Sequence, residues 1–246
     1  MEFTLKDLVR QLQLDQDLPD PDTVSYYANA KNRTFFIDYE IERDEETCYS
    51  RLMELAKIII RMNMDEMHIP KDKLRSIYIF IDSYGGDISQ TLFLCDLIKA
   101  SRIPIITIST SVSMSAGLLL LISGHKKYAF DHSQILIHQG YLGLQGNASE
   151  VKEATKNYNR MLGRMKSFIL DNTNIDEKTF ERNKNKDWYL SASQAKKFGV
   201  VTDIVSSFED IIQANTLEYN EYYDKPKNGF RKNTKQNETK DEHKEN

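Results

Sequence analysis

The stretch Ser76–Ala100 reads SIYIFIDSYGGDISQTLFLCDLIKA and predicts a strand, a glycine turn and a helix in direct succession. Its first part, Ser76–Asp82, is rich in β-branched and aromatic residues, which are typical of a buried strand. Gly85-Gly86 then allows positive φ angles and a close approach of the backbone to a ligand. Apolar residues at helical spacing follow, namely Ile88, Leu92, Cys95 and Ile98.

The same alternation of strand and helix continues on both sides of this unit. Further strands are predicted at Arg33–Tyr39, Ile103–Ser109, Lys127–Phe130, Gln134–His138 and Val200–Val205. Further helices are predicted at Glu45–Met64, from Ser113 into the LLLL run, at Glu150–Leu170, and between an N-cap at Ser191 and Gly199. Such alternation predicts an α/β fold with parallel strands and right-handed crossovers.

Three regions of the chain differ in composition. Residues 1–30 are polar and contain two prolines near their end, so we expect an irregular N-terminal extension. Residues 31–215 carry the regular pattern and are expected to form one domain. Residues 216–246 are charged and rich in amides, and they have too few apolar side chains to offset the entropy of ordering. We therefore expect a disordered C-terminal tail.

Charge and cysteine content narrow the classes of function. The 246 residues carry a net charge of −4, which argues against a nucleic-acid binder. Cys48 and Cys95 lie in apolar helical patterns, and buried reduced thiols fit a cytoplasmic protein. Ile103–Gly124 carries no charge, but Pro104, Gly117 and its hydroxyl residues favour a strand, a turn and a buried helix over a membrane span.

A cluster of hydroxyls lies where a strand is expected to lead into a helix. Ser109–Gly117 reads STSVSMSAG, and a serine at the start of the helix would lie beside unpaired amides and the positive end of the helix dipole. That environment suits a nucleophile whose attack creates an oxyanion, although capping of the helix by serine is the simpler interpretation. Spacing alone leaves Ser111, Ser113 and Ser115 open.

Two more residues could complete a hydrolytic site. His138 ends a buried strand before a glycine-rich segment, as a general base would, although a lone histidine of this kind is more often a hydrogen-bonded core residue. Asp187 lies among basic and aromatic residues and could orient a histidine, or it could be a surface charge. No histidine pair has metal-ligand spacing, so we expect no metal site.

Five motifs follow one another along the chain and contain or flank these candidate residues. They are IDSYGGD, SVSMSAG, ILIHQG, GYLGLQGNASEV and DWYLSASQAKKFGVVTDIV. With them, the chain from about Arg33 to Val205 resembles the proteolytic subunit of the Clp protease. The resemblance implies a ClpP/crotonase-like α/β fold of repeated β-β-α units, with a parallel sheet and a protruding handle made of a strand and a long helix.

The resemblance also implies a role for each residue. The chain would be a serine endopeptidase in which Ser113, the serine before Met114, is the nucleophile, and the intervals to His138 and Asp187 match those of the family. His138 would be the general base and Asp187 would orient it. The amides of Gly86 and Met114 would form the oxyanion hole. An extended substrate would pair with the glycine turn and the handle, at Gly85, Asp87, Ile88, Gln139, Gly140 and Tyr141.

Partners follow from the same resemblance. The family implies a homo-oligomer of stacked heptameric rings that degrades polypeptides without a cofactor. The sequence has no Gly-Lys pair and hence no Walker A loop, so an AAA+ unfoldase such as a Clp ATPase would supply the energy. The chain departs from the family where Tyr84 and Gly140 replace prolines, and where Ser109 and Ser115 replace glycines.

Three other functions remain open at this point. A phage prohead maturation protease shares the fold and acts without an unfoldase. A crotonase-like acyl-CoA enzyme also shares the fold but needs no Ser-His-Asp set, so covalent labelling of a serine would exclude it. A non-catalytic ring subunit would assemble without cleaving any peptide.

Overall fold

The computed structural model describes residues 21–44, 46–47, 49–140 and 143–213. The helices of this part are α1 Pro21–Lys31, α2 Arg51–Asp65, α3 Ile88–Ala100, α4 Ala116–Ser123, α5 Ala148–Asn172, α6 Glu177–Asn183, α7 Ala192–Lys197 and α8 Phe208–Gln213, with a 3-10 turn at Lys71–Lys73. The strands are β1 Thr34–Ile37, β2 Ile77–Ser83, β3 Ile105–Met114, β4 Lys126–Phe130, β5 Gln134–Ile137, β6 Trp188–Ser191 and β7 Asp203–Val205.

The described strands form one mostly parallel sheet. Its main path runs β1-β2-β3-β4-β7, and every neighbouring pair on that path is parallel. β5 pairs in parallel with β3, and β6 pairs antiparallel with β5. The α/β architecture with a parallel sheet, expected from the alternation of strands and helices, is confirmed.

The long strand β3 divides the sheet into two parts. Ile106–Ser109 pairs with β4, whereas Val112–Met114 pairs with β5 along the same edge. On the opposite edge the register with β2 shifts. Ile81 pairs with Ser109 and Ser83 pairs with Ser113, so a step of two residues along β2 matches a step of four residues along β3. Bulges of this kind bend a strand and are frequent beside active sites. The second part of β3 therefore brings β5 and the segment after it to the C-terminal end of the sheet.

The core fixes the junction between β3 and α4. Every residue of α4 is buried, which explains its uniformly apolar LLLLI sequence. Ile77, Ile79 and Ile81 of β2 are fully buried in the same core. Only the C-terminal part of the long helix α5 is buried in this core, through Met165 and Ile169. The N-terminal part of α5 is the exposed helix expected for the handle.

Several local predictions are corrected by the structure. The irregular extension predicted for residues 1–30 is wrong for 21–30, where α1 begins with Pro21. A proline is compatible with the first turn of a helix, because its missing amide would be unpaired there. α2 begins only at Arg51, after the side chain of Ser50 accepts from the amide of Met53. The described residues between His138 and Asn147 form no strand of the handle.

Two sequence features bear on the cellular compartment, namely the two cysteines and the uncharged stretch Ile103–Gly124. The structure describes one of the cysteines and the whole stretch. Cys95 is buried and its thiol donates to the carbonyl of Leu119, and burial raises the pKa of this thiol well above its usual value. Cys48 lies outside the described residues. The uncharged stretch Ile103–Gly124 forms β3 and α4. No helix in the described ranges combines the length and apolarity needed to cross a membrane.

Candidate active site

A cleft opens at the C-terminal end of β3, where the glycine turn, the start of α4 and the end of β5 meet. The residues that line it are Glu40, Tyr84, Gly85, Gly86, Asp87, Ile88, Ser89, Ser115, His138, Gly140, Tyr158 and Met161. The cleft thus brings two serines, Ser89 and Ser115, together with one histidine, His138. In parallel α/β sheets this end of the strands is where ligands bind.

Ser115 occupies the single residue between β3 and α4. Its φ angle of 52° is rare for a residue with a side chain. Its amide donates to the carbonyl of Leu136 at 3.0 Å, and its carbonyl accepts from the amide of Leu119 at 3.3 Å. Its hydroxyl does not cap the helix. Because strain of this kind persists only where the surroundings impose it, Ser115 is a strong candidate for a functional residue.

The glycine turn packs directly against this strained residue. Gly85 has a φ angle of 109°, and a Cβ atom there would lie 2.8 Å from the carbonyl oxygen of Met114 and 2.9 Å from the amide nitrogen of Ala116. Gly86 has a φ angle of 136°, and a Cβ atom there would overlap the carbonyl of Ile41. Only glycine fits these two positions, so the turn holds its backbone close to Ser115.

Backbone amides of the glycine turn and of the start of α4 lie near each other beside the cleft. The amides of Gly85 and Asp87 are bound, to the Ser83 hydroxyl at 3.2 Å and to the Ile41 carbonyl at 2.6 Å. Gly86 lies between them on the exposed side of the turn. Ala116 is the first residue of α4, where helix amides lack partners within the helix. Such a pair of amides is the usual form of an oxyanion hole.

The histidine and the carboxylate are brought together by strand pairing. Ile137, the last residue of β5, pairs with Trp188, the first residue of the antiparallel β6. His138 and Asp187 are the next residues outward on these two strands, so they face each other. The Nδ1 atom of His138 lies 3.5 Å from Oδ1 of Asp187. The imidazole side chain is only 18% exposed, whereas the carboxylate, at 48%, lies on the rim.

This pair has the geometry needed for general base catalysis. A carboxylate at Nδ1 fixes the tautomer of the ring and leaves Nε2 to exchange a proton with a nucleophile. No group of three or more histidine, cysteine or acidic residues in the described ranges is arranged to hold a metal ion. Together with a serine of the cleft, this pair could support acyl transfer.

Comparison with known proteins places the chain in a family. The family model described as Clp protease matches residues 42–208. The chain belongs to the Clp protease family. Two relatives are each named ATP-dependent Clp protease proteolytic subunit 2. The one from Treponema denticola is 29% identical over 64% of this chain and 79% of its own length, and the one from Treponema pallidum is 27% identical over 56% and 70%. Membership of this family indicates a peptidase with the expected fold.

Within this Clp-type fold, Ser113 does not lie where the sequence predicted. β3 continues through Met114, so Ser113 is inside a strand, paired with Ile135, and not at the start of a helix. It is fully buried and its Oγ atom donates to the Oγ atom of Ser109 at 2.8 Å. Ser113 does not line the cleft that holds His138, whereas Ser115 does. Ser113 stays the prediction from the resemblance, and Ser115 is the serine of the Ser109–Gly117 cluster that lines the cleft.

The other predicted site residues lie at or beside the cleft. Gly85, Asp87, Ile88 and Gly140 line it. The carboxylate of Asp87 is already used as the N-cap of α3, where it accepts from the amide of Gln90 at 2.8 Å.

The three residues after His138 that are predicted to bind substrate differ in their position relative to the cleft. Gln139 is not among the lining residues, and its carbonyl accepts from the hydroxyl of Tyr158 at 2.8 Å. Tyr141 lies outside the described residues. Met114, predicted as an oxyanion donor, packs its buried side chain against Val112 and Leu136.

Sequence reasoning missed several lining residues. Glu40 and Ser89 lie outside the five motifs, and the sequence marks Tyr84 only as a substitution for proline. Tyr158 and Met161 lie on the apolar stripe predicted for the long helix, which reads as core packing from sequence alone. The signal for Ser115 was present, because it precedes the uninterrupted apolar run that became α4.

Proposed function

We propose that this chain is a serine endopeptidase that works as the proteolytic subunit of an ATP-dependent Clp-type protease. We propose Ser115 as its nucleophile in place of Ser113, with His138 as the general base and Asp187 as the residue that orients it. One observation carries this assignment: Ser115 and His138 line one cleft, and Asp187 approaches the far nitrogen of the imidazole. The relatives named as Clp proteolytic subunits support the same reaction class.

The mechanism follows from these positions. The Ser115 hydroxyl attacks the carbonyl carbon of a peptide bond while Nε2 of His138 accepts its proton. Asp187 stabilises the imidazolium that forms, and the histidine then protonates the leaving amine. Water, activated by the same histidine, hydrolyses the acyl-enzyme and regenerates Ser115. No cofactor takes part in these steps.

The oxyanion hole is reassigned together with the nucleophile. The amide of the residue after the nucleophile becomes that of Ala116, and the second donor stays the amide of Gly86. A Cβ atom built on Gly85, the residue before Gly86, would lie 2.9 Å from the Ala116 nitrogen, so the glycine turn passes close to the start of α4. Loss of one oxyanion donor typically costs about 10²- to 10³-fold in rate.

We further propose that polypeptide substrates bind as an added strand along the glycine turn. Extended substrates held by main-chain hydrogen bonds are selected with little dependence on sequence. Stacked heptameric rings would enclose the clefts, and a separate ATPase of the Clp type would unfold and feed the substrates. The absence of a Walker A motif from the sequence supports the need for that partner.

Serine variants test this function directly. We expect the wild-type protein and Ser113→Ala to cleave an unstructured fluorogenic peptide and to react with a fluorophosphonate. Ser115→Ala should lose both activities, with a fall in kcat of at least about 10³-fold. Ser111→Ala is the matched control, because Ser111 is exposed and does not line the cleft.

Two results would contradict the proposal. Loss of labelling in Ser113→Ala with retention in Ser115→Ala would return the nucleophile to Ser113. Failure of the assembled wild-type protein to label or to cleave any peptide would favour a non-catalytic ring subunit.

A further inference from the structure

The long helix α5 touches the segment that carries His138 through a polar contact from Tyr158. The hydroxyl of Tyr158 donates to the carbonyl of Gln139 at 2.8 Å. Gln139 directly follows His138, so this bond holds the backbone next to the imidazole. Tyr158 is half-buried and lines the same cleft as Ser115 and His138.

The backbone after His138 needs such an anchor. β5 ends at Ile137, so the ladder of hydrogen bonds that fixes this strand stops one residue before the histidine. Two residues later Gly140 has a φ angle of 75°, in a region that glycine enters at little cost and leaves as easily. The segment is thus held by the sheet on one side only, and glycine gives it no stiffness on the other.

The tip of Tyr158 lies against this weak point. A Cβ atom built on Gly140 would lie 3.6 Å from the Tyr158 hydroxyl, which is an ordinary contact distance. Burial raises the pKa of this hydroxyl, so it stays protonated and able to donate across the neutral range. The helix that carries Tyr158 is itself fixed at its C-terminal end by Met165 and Ile169 in the core.

We propose that Tyr158 is a positioning residue for the peptidase reaction, which holds the backbone after His138 so that the imidazole stays aligned with Ser115. The inference rests on the proposed function. In this arrangement the histidine is fixed from two sides, by the β5 ladder before it and by the Tyr158 hydrogen bond after it. The bond acts on the alignment of the base and not on the affinity for substrate.

The variant Tyr158→Phe tests this role because it removes the hydroxyl and keeps the ring. We expect kcat for a fluorogenic peptide to fall about fivefold, the factor that matches the net contribution of one hydrogen bond. The rate of inactivation by a small fluorophosphonate should fall by the same factor, since that reagent also depends on the alignment of His138 with Ser115. KM and the thermal unfolding midpoint should match those of the wild type.

A second tyrosine provides the matched control. Tyr27 on α1 is 69% exposed and lies outside the cleft, so Tyr27→Phe makes the same chemical change without the proposed effect. The inference is overturned if Tyr158→Phe raises KM and leaves fluorophosphonate inactivation unchanged, because the hydroxyl would then contact substrate. It is also overturned if both rates equal those of the wild type, or if they fall only in step with the fraction of protein that is folded.

These outcomes are distinct from failure of the proposed function. If the wild-type protein does not react with the fluorophosphonate, the peptidase assignment fails. If the wild type reacts and Tyr158→Phe reacts equally fast, only the role of Tyr158 fails.

Discussion

The two walls of the cleft are built in different ways. The nucleophile wall, from Met114 to Gly117, joins a central strand to a fully buried helix and packs against Gly85, where a side chain would collide with its backbone. The base wall, from His138 to Gly140, leaves the sheet at its first residue and is tied back by the hydroxyl of Tyr158. The comparison teaches that the fold supplies the position of the proposed nucleophile, whereas polar contacts from Asp187 and Tyr158 supply the position of the proposed base.

The largest expected effect comes from removing the carboxylate charge of Asp187, which faces His138 of the base wall. Asp187→Asn keeps the shape of the side chain but removes the charge that faces Nδ1 of His138 at 3.5 Å. We expect kcat for peptide cleavage to fall about 10³- to 10⁴-fold, because the imidazole loses its correct tautomer and the stabilisation of its cation. Steady-state kinetics at neutral pH measure this effect.

A matched control is available for this prediction. Asp131→Asn makes the same change at an exposed residue in the turn between β4 and β5, and it should leave kcat unchanged. A fall of less than tenfold in Asp187→Asn would show that the pair seen at the rim of the cleft does not support catalysis.

The next effect comes from distorting the nucleophile wall at Gly85. In Gly85→Ala, the added Cβ would lie 2.8 Å from the carbonyl of Met114 and 2.9 Å from Cβ of Ser115, at a φ angle that alanine avoids. The turn must shift, and we expect kcat to fall at least about 10²-fold, as misplacement by about 1 Å costs in other enzymes.

Gly143→Ala is the control for this change, because a Cβ atom there meets nothing within 4 Å. It should match the wild type in kcat and in thermal midpoint. Equal activity of Gly85→Ala and Gly143→Ala would show that the close packing of the glycine turn has no catalytic role.

The residues alone predict the fold, but they leave the nucleophile open among Ser111, Ser113 and Ser115, for one physical reason. Strand and helix identities follow from local periodicity, and the α/β alternation was clear at Ser76–Ala100. The choice among serines depends on where β3 ends, and that end is set by pairing of Val112–Met114 with β5, which is not a local property. A shift of a few residues at this boundary decides whether the serine next to the helix is the buried Ser113 or the partly exposed Ser115.

The resemblance to the family did not remove this ambiguity. It chose Ser113 because a methionine follows it and because the interval to His138 matched. In the structure Ser115 occupies the turn between β3 and α4, and its interval to His138 is two residues shorter. The pairing of His138 with Asp187 was harder to derive from residues alone, because β6 has only four residues and was not predicted as a strand.

The smallest expected effect lies away from both walls, at Lys127. The ammonium group of Lys127 on β4 donates to the carbonyl of Asn172, the last residue of α5, and to that of Gly199, each at 2.8 Å. Burial, with a contribution from Lys99, lowers the pKa of Lys127 to about 8. The folded state therefore holds this group neutral at a pH where the unfolded chain still binds its proton.

The difference between the pKa of Lys127 in the folded and unfolded states fixes how the free energy of unfolding changes with pH. Between about pH 8 and the usual pKa of 10.5, the unfolded state binds more protons at Lys127, so the contribution of this residue to the free energy of unfolding rises with pH. Urea midpoints of the wild type should rise relative to those of Lys127→Met from pH 7.5 to 9.5. Because the comparison is between variants, titration of other groups cancels, and a constant or falling difference would contradict the prediction.

The central claim is that the reactive hydroxyl belongs to Ser115. The most direct measurement is to treat the wild-type protein with a fluorophosphonate, digest it, and locate the phosphonyl group by fragmentation mass spectrometry of the peptide that contains residues 111–117. We predict a single adduct on Ser115 and none on Ser111 or Ser113. An adduct on Ser113, with Ser115 unmodified, would contradict the account and would require β3 and α4 to rearrange before catalysis.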